Sequence, residues 1–168
     1  MHATFPWEGS LRRIAISGHR GLPPDTARLV DEAVRAALSG QAADVVGLSC
    51  LADGADQIVA SALLDLGGHV EAVIPAARYK EGLPSGAWPE YDRLLARAGA
   101  VHRLDFTEST SEAHMAASEF MLGHADELWA VWDGKPARGY GGTADVVAWA
   151  RENAVPVRVI WPAGARRD

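Results

Sequence analysis

Short β-prone runs, most of them apolar on both faces, recur six times along the chain, at 13–17, 44–50, 70–74, 101–106, 128–132 and 155–161. Helical spacing or glycine-rich turns fill the intervals. A strand without a polar face must be covered on both sides, which antiparallel hairpins rarely achieve and crossover helices do. Strand-helix alternation of this kind predicts one three-layer α/β domain with a mostly parallel sheet. In such a sheet the strand-to-helix turns collect at one edge, and ligands sit there near the point where strand order reverses.

The helical segments follow from apolar spacing. Ala27, Val30, Ala33, Val34, Ala37 and Leu38 recur on one face, with Asp31–Arg35 and Arg28–Glu32 placed to pair one turn apart and Gly40 as terminator. Ile58, Val59, Ala62, Leu63 and Leu66 mark a second helix, stopped by Gly67 and Gly68. A third covers 91–98, a fourth begins at Ser111 and Glu112 and runs to Gly123, and the last opens at Thr143, read as its cap, and runs to Glu152. Leu51 to Gly54 form a turn, 76–89 and 134–142 are irregular, and the tail 163–168 is expected to fray. The domain reading is an N-terminal extension over 1–12, the domain over 13–162 and the tail.

At 168 residues the chain fits one domain with a core of its own. Its single cysteine, Cys50, excludes an internal disulfide and fits a reducing compartment. No Cys/His cluster has zinc spacing, so neither a metal nor a cofactor is expected. No apolar run is long enough for a secretory leader or a membrane span, and the expected location is cytoplasmic. The net charge of −6, with basic pairs only at Arg12-Arg13 and Arg166-Arg167, argues against duplex nucleic acid as the main partner.

Three turns carry the chemistry. Ser17-Gly18-His19-Arg20-Gly21 follows the first strand. Glycines let main-chain amides approach an anion, and Arg20 can fork onto phosphate oxygens; the plainer reading is a tight turn with a surface arginine. After the second strand comes Ala52-Asp53-Gly54-Ala55-Asp56, small enough at Gly54 and Ala55 for a ligand to lie over it. Asp56 there is first a helix cap and second a ligand contact. Gly139-Tyr140-Gly141-Gly142-Thr143 opens the last helix and holds more glycine than a cap requires. Thr143 can cap and also donate to a phosphate. Asp145 would satisfy the helix dipole itself, or accept hydrogen bonds from ribose. None of the turns reads G-x-G-x-x-G or G-x-x-x-x-G-K-[ST], which disfavours dinucleotide enzymes and P-loop NTPases.

Other residues carry weaker signals. His19 can donate to phosphate or act as an acid, but no partner for it is visible in the sequence. The remaining histidines, His114 among them, are read as surface or capping residues. Tyr79 is either a stacking plate for a base or an anchor for its loop. Trp129 and Trp132 are both assigned to the core, on opposite faces of the fifth strand.

The order and spacing of Ile16-Ser17-Gly18-His19-Arg20, Leu51-Ala52-Asp53-Gly54-Ala55-Asp56, Ile74-Pro75-Ala76 and Gly141-Gly142-Thr143 resemble the SMF/DprA–LOG superfamily of Rossmann-like nucleotide-binding proteins. The likeness spans about 13–161. It implies a Rossmann-like domain holding a ribose phosphate at the C-terminal ends of the strands. The LOG members of that superfamily cleave the N-glycosidic bond of a nucleoside monophosphate with an arginine and a glutamate. Here those positions fall on Ala117 and Val146, with Glu119 and Asp145 close by but out of register.

The leading expectation is therefore a sensor or binding domain for a nucleotide-like ligand. Gly18, Gly141 and Gly142 amides, Arg20 and Thr143 would hold phosphate, and Asp145 ribose. The alternatives are an N-glycosidic hydrolase using Asp145, Glu119, Asp133 or His19, and a single-stranded nucleic-acid module with steep salt dependence. Broad apolar faces on the helices 113–122 and 144–150 add the expectation of a homodimer.

Overall fold

A computed structural model of the chain describes residues 11–167. Residues 1–10, and with them most of the expected N-terminal extension, lie outside it, as does Asp168. Six parallel strands form one sheet: β1 (Arg12–Gly18), β2 (Val45–Ser49), β3 (His69–Ala76), β4 (Ala100–Phe106), β5 (Glu127–Val131) and β6 (Val157–Ile160). Their spatial order is β4-β3-β2-β1-β5-β6. Order runs one way from β1 to β4 and the other way from β1 to β6, so the switch point lies between β1 and β5.

Five helices cover the sheet: α1 (Pro24–Leu38), α2 (Ala55–Asp65), α3 (Trp88–Arg97), α4 (Ser111–Gly123) and α5 (Thr143–Glu152). Helix α2 packs on α1, α3 and β1 to β3, while α4 packs on β1, β3, β4 and α5. The result is the expected three-layer, Rossmann-like α/β domain. The interior strands β2 and β3 are buried almost along their length, whereas β4 and β6 leave Val101, Phe106 and Val159 partly exposed because one flank of each is open. Helix α1 buries Thr26, Val30, Val34 and Leu38, spaced four apart, and forms both predicted pairs, Arg35–Asp31 at 2.9 Å and Arg28–Glu32 at 3.3 Å. No helix among the described residues is long and apolar enough to cross a membrane.

Several local expectations are corrected. Asp56 does not cap α2: Gly54 holds the cap position at φ +86°, and Asp56 is the second helical residue. Thr143 does not cap α5 either; Gly142 does, and Thr143 is the first helical residue. Pro75 lies inside β3, where the pairing with β4 shifts register between Ile74 and Ala76. Trp129 is buried as expected, but Trp132 falls just beyond β5, half-buried, with its indole N–H donated to the Lys135 carbonyl at 2.8 Å. The tail is not frayed through Arg167. The buried Thr26 hydroxyl donates to the Arg166 carbonyl at 2.8 Å and accepts from the Arg166 amide at 2.9 Å, which ties the segment down over the start of α1.

The apolar breadth of α4 and α5 is mostly consumed within one copy. Met115, Ala117, Met121 and Leu122 of α4 and Val146, Val147 and Ala150 of α5 are buried, and only residues such as Ala116, Phe120, Ala148 and Trp149 reach the surface.

Candidate functional site

The three glycine-bearing turns meet. Gly18 ends β1 with no room beside it: a Cβ there would collide with the Ala55 methyl and come within 2.8 Å of the Val131 Cβ. Gly54 is equally confined, its would-be Cβ lying 2.6 Å from the His19 carbonyl. The Ala55 amide donates to that carbonyl at 3.1 Å, and the His19 amide to the Val131 carbonyl at 3.1 Å. Glycine therefore serves here to bring the C-terminal ends of β1 and β5 and the start of α2 into contact. The start of α2 is docked on the first turn.

A cleft of about 180 Å³ opens at this rim, beside the β1/β5 switch point. Of the expected site residues, Ser17, Gly18, His19, Arg20, Asp56, Tyr79, Gly141, Gly142 and Thr143 line it. Gly54, Ala55, Asp133, Asp145 and Glu119 do not. Ala55 is packed beneath Gly18, and Glu119 is on the exposed face of α4. Gly54 faces a wider groove of about 520 Å³ whose lining holds Asp31, Asp53 and Glu90 and no lysine or arginine, which makes it a poor place for an anion.

At the third turn the anion donors differ from those expected. The Gly141 amide donates to the Asp145 carboxylate at 2.9 Å and the Gly142 amide to the Gly139 carbonyl at 3.2 Å. Asp145 thus satisfies its own loop. The Thr143 and Ala144 amides, the first two of α5, are left without a partner among the described residues. The Thr143 side chain is buried, lines the cleft, and has no hydrogen-bond partner among the described residues. A helix start with open amides carries a partial positive charge.

His19 has a partner the sequence did not reveal. Its Nε2 accepts the Asp133 amide at 3.0 Å and lies 3.1 Å from the Asp133 carboxylate. Those two contacts ask for different proton positions. Burial, reinforced by the nearby Arg167 cation, lowers the His19 pKa and outweighs the pull of Asp133, so we assign a neutral ring with Nε2 as acceptor. The Asp133 carboxylate meanwhile accepts the Lys135 amide at 3.0 Å. With Trp161 edge-on at 5.5 Å, His19 acts as a pin between the ends of β1 and β5.

Arg20 sits at the rim and forks onto Asp53 through Nε and an Nη, both at 2.9 Å, while Asp53 also accepts the Gly21 amide at 3.0 Å. Arg20 is thereby held in place, and a ligand phosphate would share it with Asp53. Tyr79 is 3% exposed and packs against Tyr91 and, edge-on, His114. It is a fixed wall and loop anchor, its ring too enclosed to serve as an open stacking plate.

Sequence reasoning missed Cys50, Pro75, His114, Ser118, Met121 and Arg167 in the lining. His114, Ser118 and Met121 follow one another at intervals of about one α4 turn, a spacing that marks a shared face but not which face. Arg167 enters because its segment is strapped to Thr26, and no ion pair is formed by it among the described residues. Two cations, Arg20 and Arg167, and one carboxyl, Asp56, thus face the cleft of a protein with net charge −6. Among the described residues no group of three His, Cys, Asp or Glu side chains is arranged to hold a metal.

No family model and no curated protein matches the chain. Solved structures do. DNA processing protein A of Streptococcus pneumoniae matches with a TM-score of 0.66 at 20% identity, over 92% of this chain and 52% of that one, so the present chain spans about half of its length. DNA processing protein A of Helicobacter pylori, a single-stranded-DNA-binding protein, matches with a TM-score of 0.66 at 17% identity, over 93% and 68% of the two chains. The molybdenum cofactor binding protein of Rippkaea orientalis matches with a TM-score of 0.59 at 14% identity, over 90% and 77%. With its six parallel strands, the chain shares the Rossmann-like α/β fold of these proteins.

Proposed function

We propose that the chain is a binding or sensor domain for a nucleotide or nucleotide-derived ribose phosphate, taken up in the cleft beside the β1/β5 switch point. The observation that carries this reading is the start of α5. There the Thr143 and Ala144 amides have no partner among the described residues, Thr143 lines the cleft with an unpartnered hydroxyl, and Arg20 and Arg167 line the same space. Open helix amides plus guanidinium groups are the physical requirements for gripping phosphate. Binding roles in fold relatives, single-stranded DNA for one and molybdenum cofactor for another, fit a binding role here. The N-glycosidic hydrolase alternative draws no support from Asp145, which accepts the Gly141 amide and does not line the cleft, or from Glu119, which is exposed and outside it. A cytoplasmic setting and a homodimer through the Phe120 and Trp149 faces belong to the same proposal; sedimentation at micromolar concentration tests the dimer.

Calorimetric titration with nucleoside monophosphates and ribose 5-phosphate tests the ligand class. Binding is expected, and Thr143→Val with Arg20→Ala should weaken it by roughly 10- to 100-fold, the worth of one or two charge-assisted hydrogen bonds. No binding to any of them, or binding indifferent to the double substitution, refutes the reading.

A further inference from the structure

The floor of the cleft contains a group that phosphate binding does not use. Asp56 is 8% exposed and is the one carboxyl that lines the cleft among the described residues. Its Oδ2 accepts a long hydrogen bond, 3.3 Å, from the Ala52 amide, and no other hydrogen bond or ion pair is formed by it there. The nearest cation, Arg20, is already forked onto Asp53. A buried carboxyl with a single long hydrogen bond is under-supplied with donors. Around it stand Cys50 at the end of β2, Tyr79 after β3, and His114 and Ser118 on α4.

We propose that Asp56 is the base-reading group of the cleft, accepting hydrogen bonds from a ligand that presents two adjacent N–H donors, the arrangement on the Watson–Crick edge of guanine. This deepens the reading of the site as a ribose-phosphate cleft and rests on it. The phosphate would lie toward Thr143 and Arg167, and the base toward Asp56. The two ends are chemically distinct: Arg167 acts on His19 and Asp133, whereas Arg20, the second phosphate cation, stands at the rim and also acts on Asp56, Tyr79 and His114. A carboxylate is acceptor-only and offers two oxygens side by side, so paired donors satisfy it and a donor next to an acceptor does not. A site built around such a group rejects analogues that leave it unpaired.

The electrostatics agree. Burial raises the Asp56 carboxyl to about 7, against the opposing effects of the Ala52 amide and Arg20, with Asp53 adding to the rise. Cys50 and Tyr79 are themselves raised by burial and stay neutral, and burial together with Arg20 lowers His114, so it too is neutral at that pH. Asp56 is thus the group in the floor that changes charge near neutrality. Its ionised fraction rises from roughly a tenth at pH 6 to nine-tenths at pH 8.

The test is calorimetric titration of the full chain with GMP, IMP, AMP and ribose 5-phosphate at pH 6 and pH 8, repeated with Asp56→Asn. The expected order is GMP tighter than IMP, and IMP tighter than AMP. GMP affinity should gain roughly tenfold from pH 6 to pH 8 beyond any gain seen with ribose 5-phosphate, which corrects for titration of the phosphate itself. Asp56→Asn should abolish that excess and cost GMP at least tenfold while leaving ribose 5-phosphate unchanged. If ribose 5-phosphate binds but the three nucleotides bind alike, with the same pH response, Asp56 reads no base and the ribose-phosphate reading survives. If nothing binds, both readings fall. Should Asp56→Asn not fold, base order and pH response in the unaltered protein decide the matter.

Discussion

Asp56 makes the free protein less stable as pH rises through neutrality, and the effect can be worked through. In the unfolded chain this carboxyl ionises near its ordinary value of 3.8; in the fold it holds its proton to about 7. The folded state therefore binds more protons between those limits, so stability falls as pH rises from about 4 through 7. Taking the two values at face, the loss between pH 5 and pH 8 is about 2–3 kcal/mol, within a full cost of about 4 kcal/mol above pH 7. His19 and His114 act with the opposite sign. Both are lowered by burial, so the unfolded state binds more protons below about 6.5 and stability falls as pH falls there. The wild-type curve mixes these effects, and the difference between wild type and Asp56→Asn isolates the carboxyl. Asparagine keeps an oxygen to accept the Ala52 amide and has no charge to bury. Urea unfolding followed by tryptophan fluorescence at pH 5, 6, 7 and 8 is the assay. At a slope of about 2 kcal/mol per molar urea, the advantage of Asp56→Asn should grow by about 1 M in midpoint from pH 5 to pH 8. A difference that stays flat across this range would mean that Asp56 is solvated or paired in the fold, and the donor-deficit argument would fail with it.

Two further outcomes are expected. Gly18→Ala places a methyl against Ala55 and Val131 where three elements converge, so it should cost about 3 kcal/mol and lower the melting temperature by about 6–12 °C in a calorimetric scan. Arg13→Ala should cost about 2–4 kcal/mol near pH 7 by removing the bidentate partner of the buried Glu71, leaving it with His102 at 2.8 Å. Burial works to raise the Glu71 carboxyl, but the hydrogen bonds from Arg13 and His102 outweigh it and hold it below its ordinary value. Its contribution is therefore present above about pH 4.5 and lost as pH falls through the lowered value. Arg13→Ala should accordingly matter less in denaturant titrations at pH 3, and an equal cost at both pH values would refute the pairing argument.

The layer architecture was legible because it depends on local patterns. Runs such as 45–49 and 70–74 lack a polar face, and α1 declares its buried side through Val30, Val34 and Leu38. These are statements about neighbours one or two turns away, which sequence spacing encodes. The convergence of the turns at 18–20 and 141–143 was legible too, since parallel strands must deliver their C-terminal ends to one edge. Tertiary structure decided what each residue does there. Asp145 was chemically able to hold ribose, but the path of the 139–142 loop brings the Gly141 amide to it first. His19 gained Asp133 from 114 positions away, and Arg167 reached the cleft because Thr26, 140 positions from Arg166, holds that segment in place. Asp56 looked like a cap and became a buried acid because Gly54 took the cap position and the carboxyl was left in the lining of the cleft. Hydrogen-bond competition and burial are settled by which distant groups arrive at a point in space, and a single sequence carries no direct record of those arrivals.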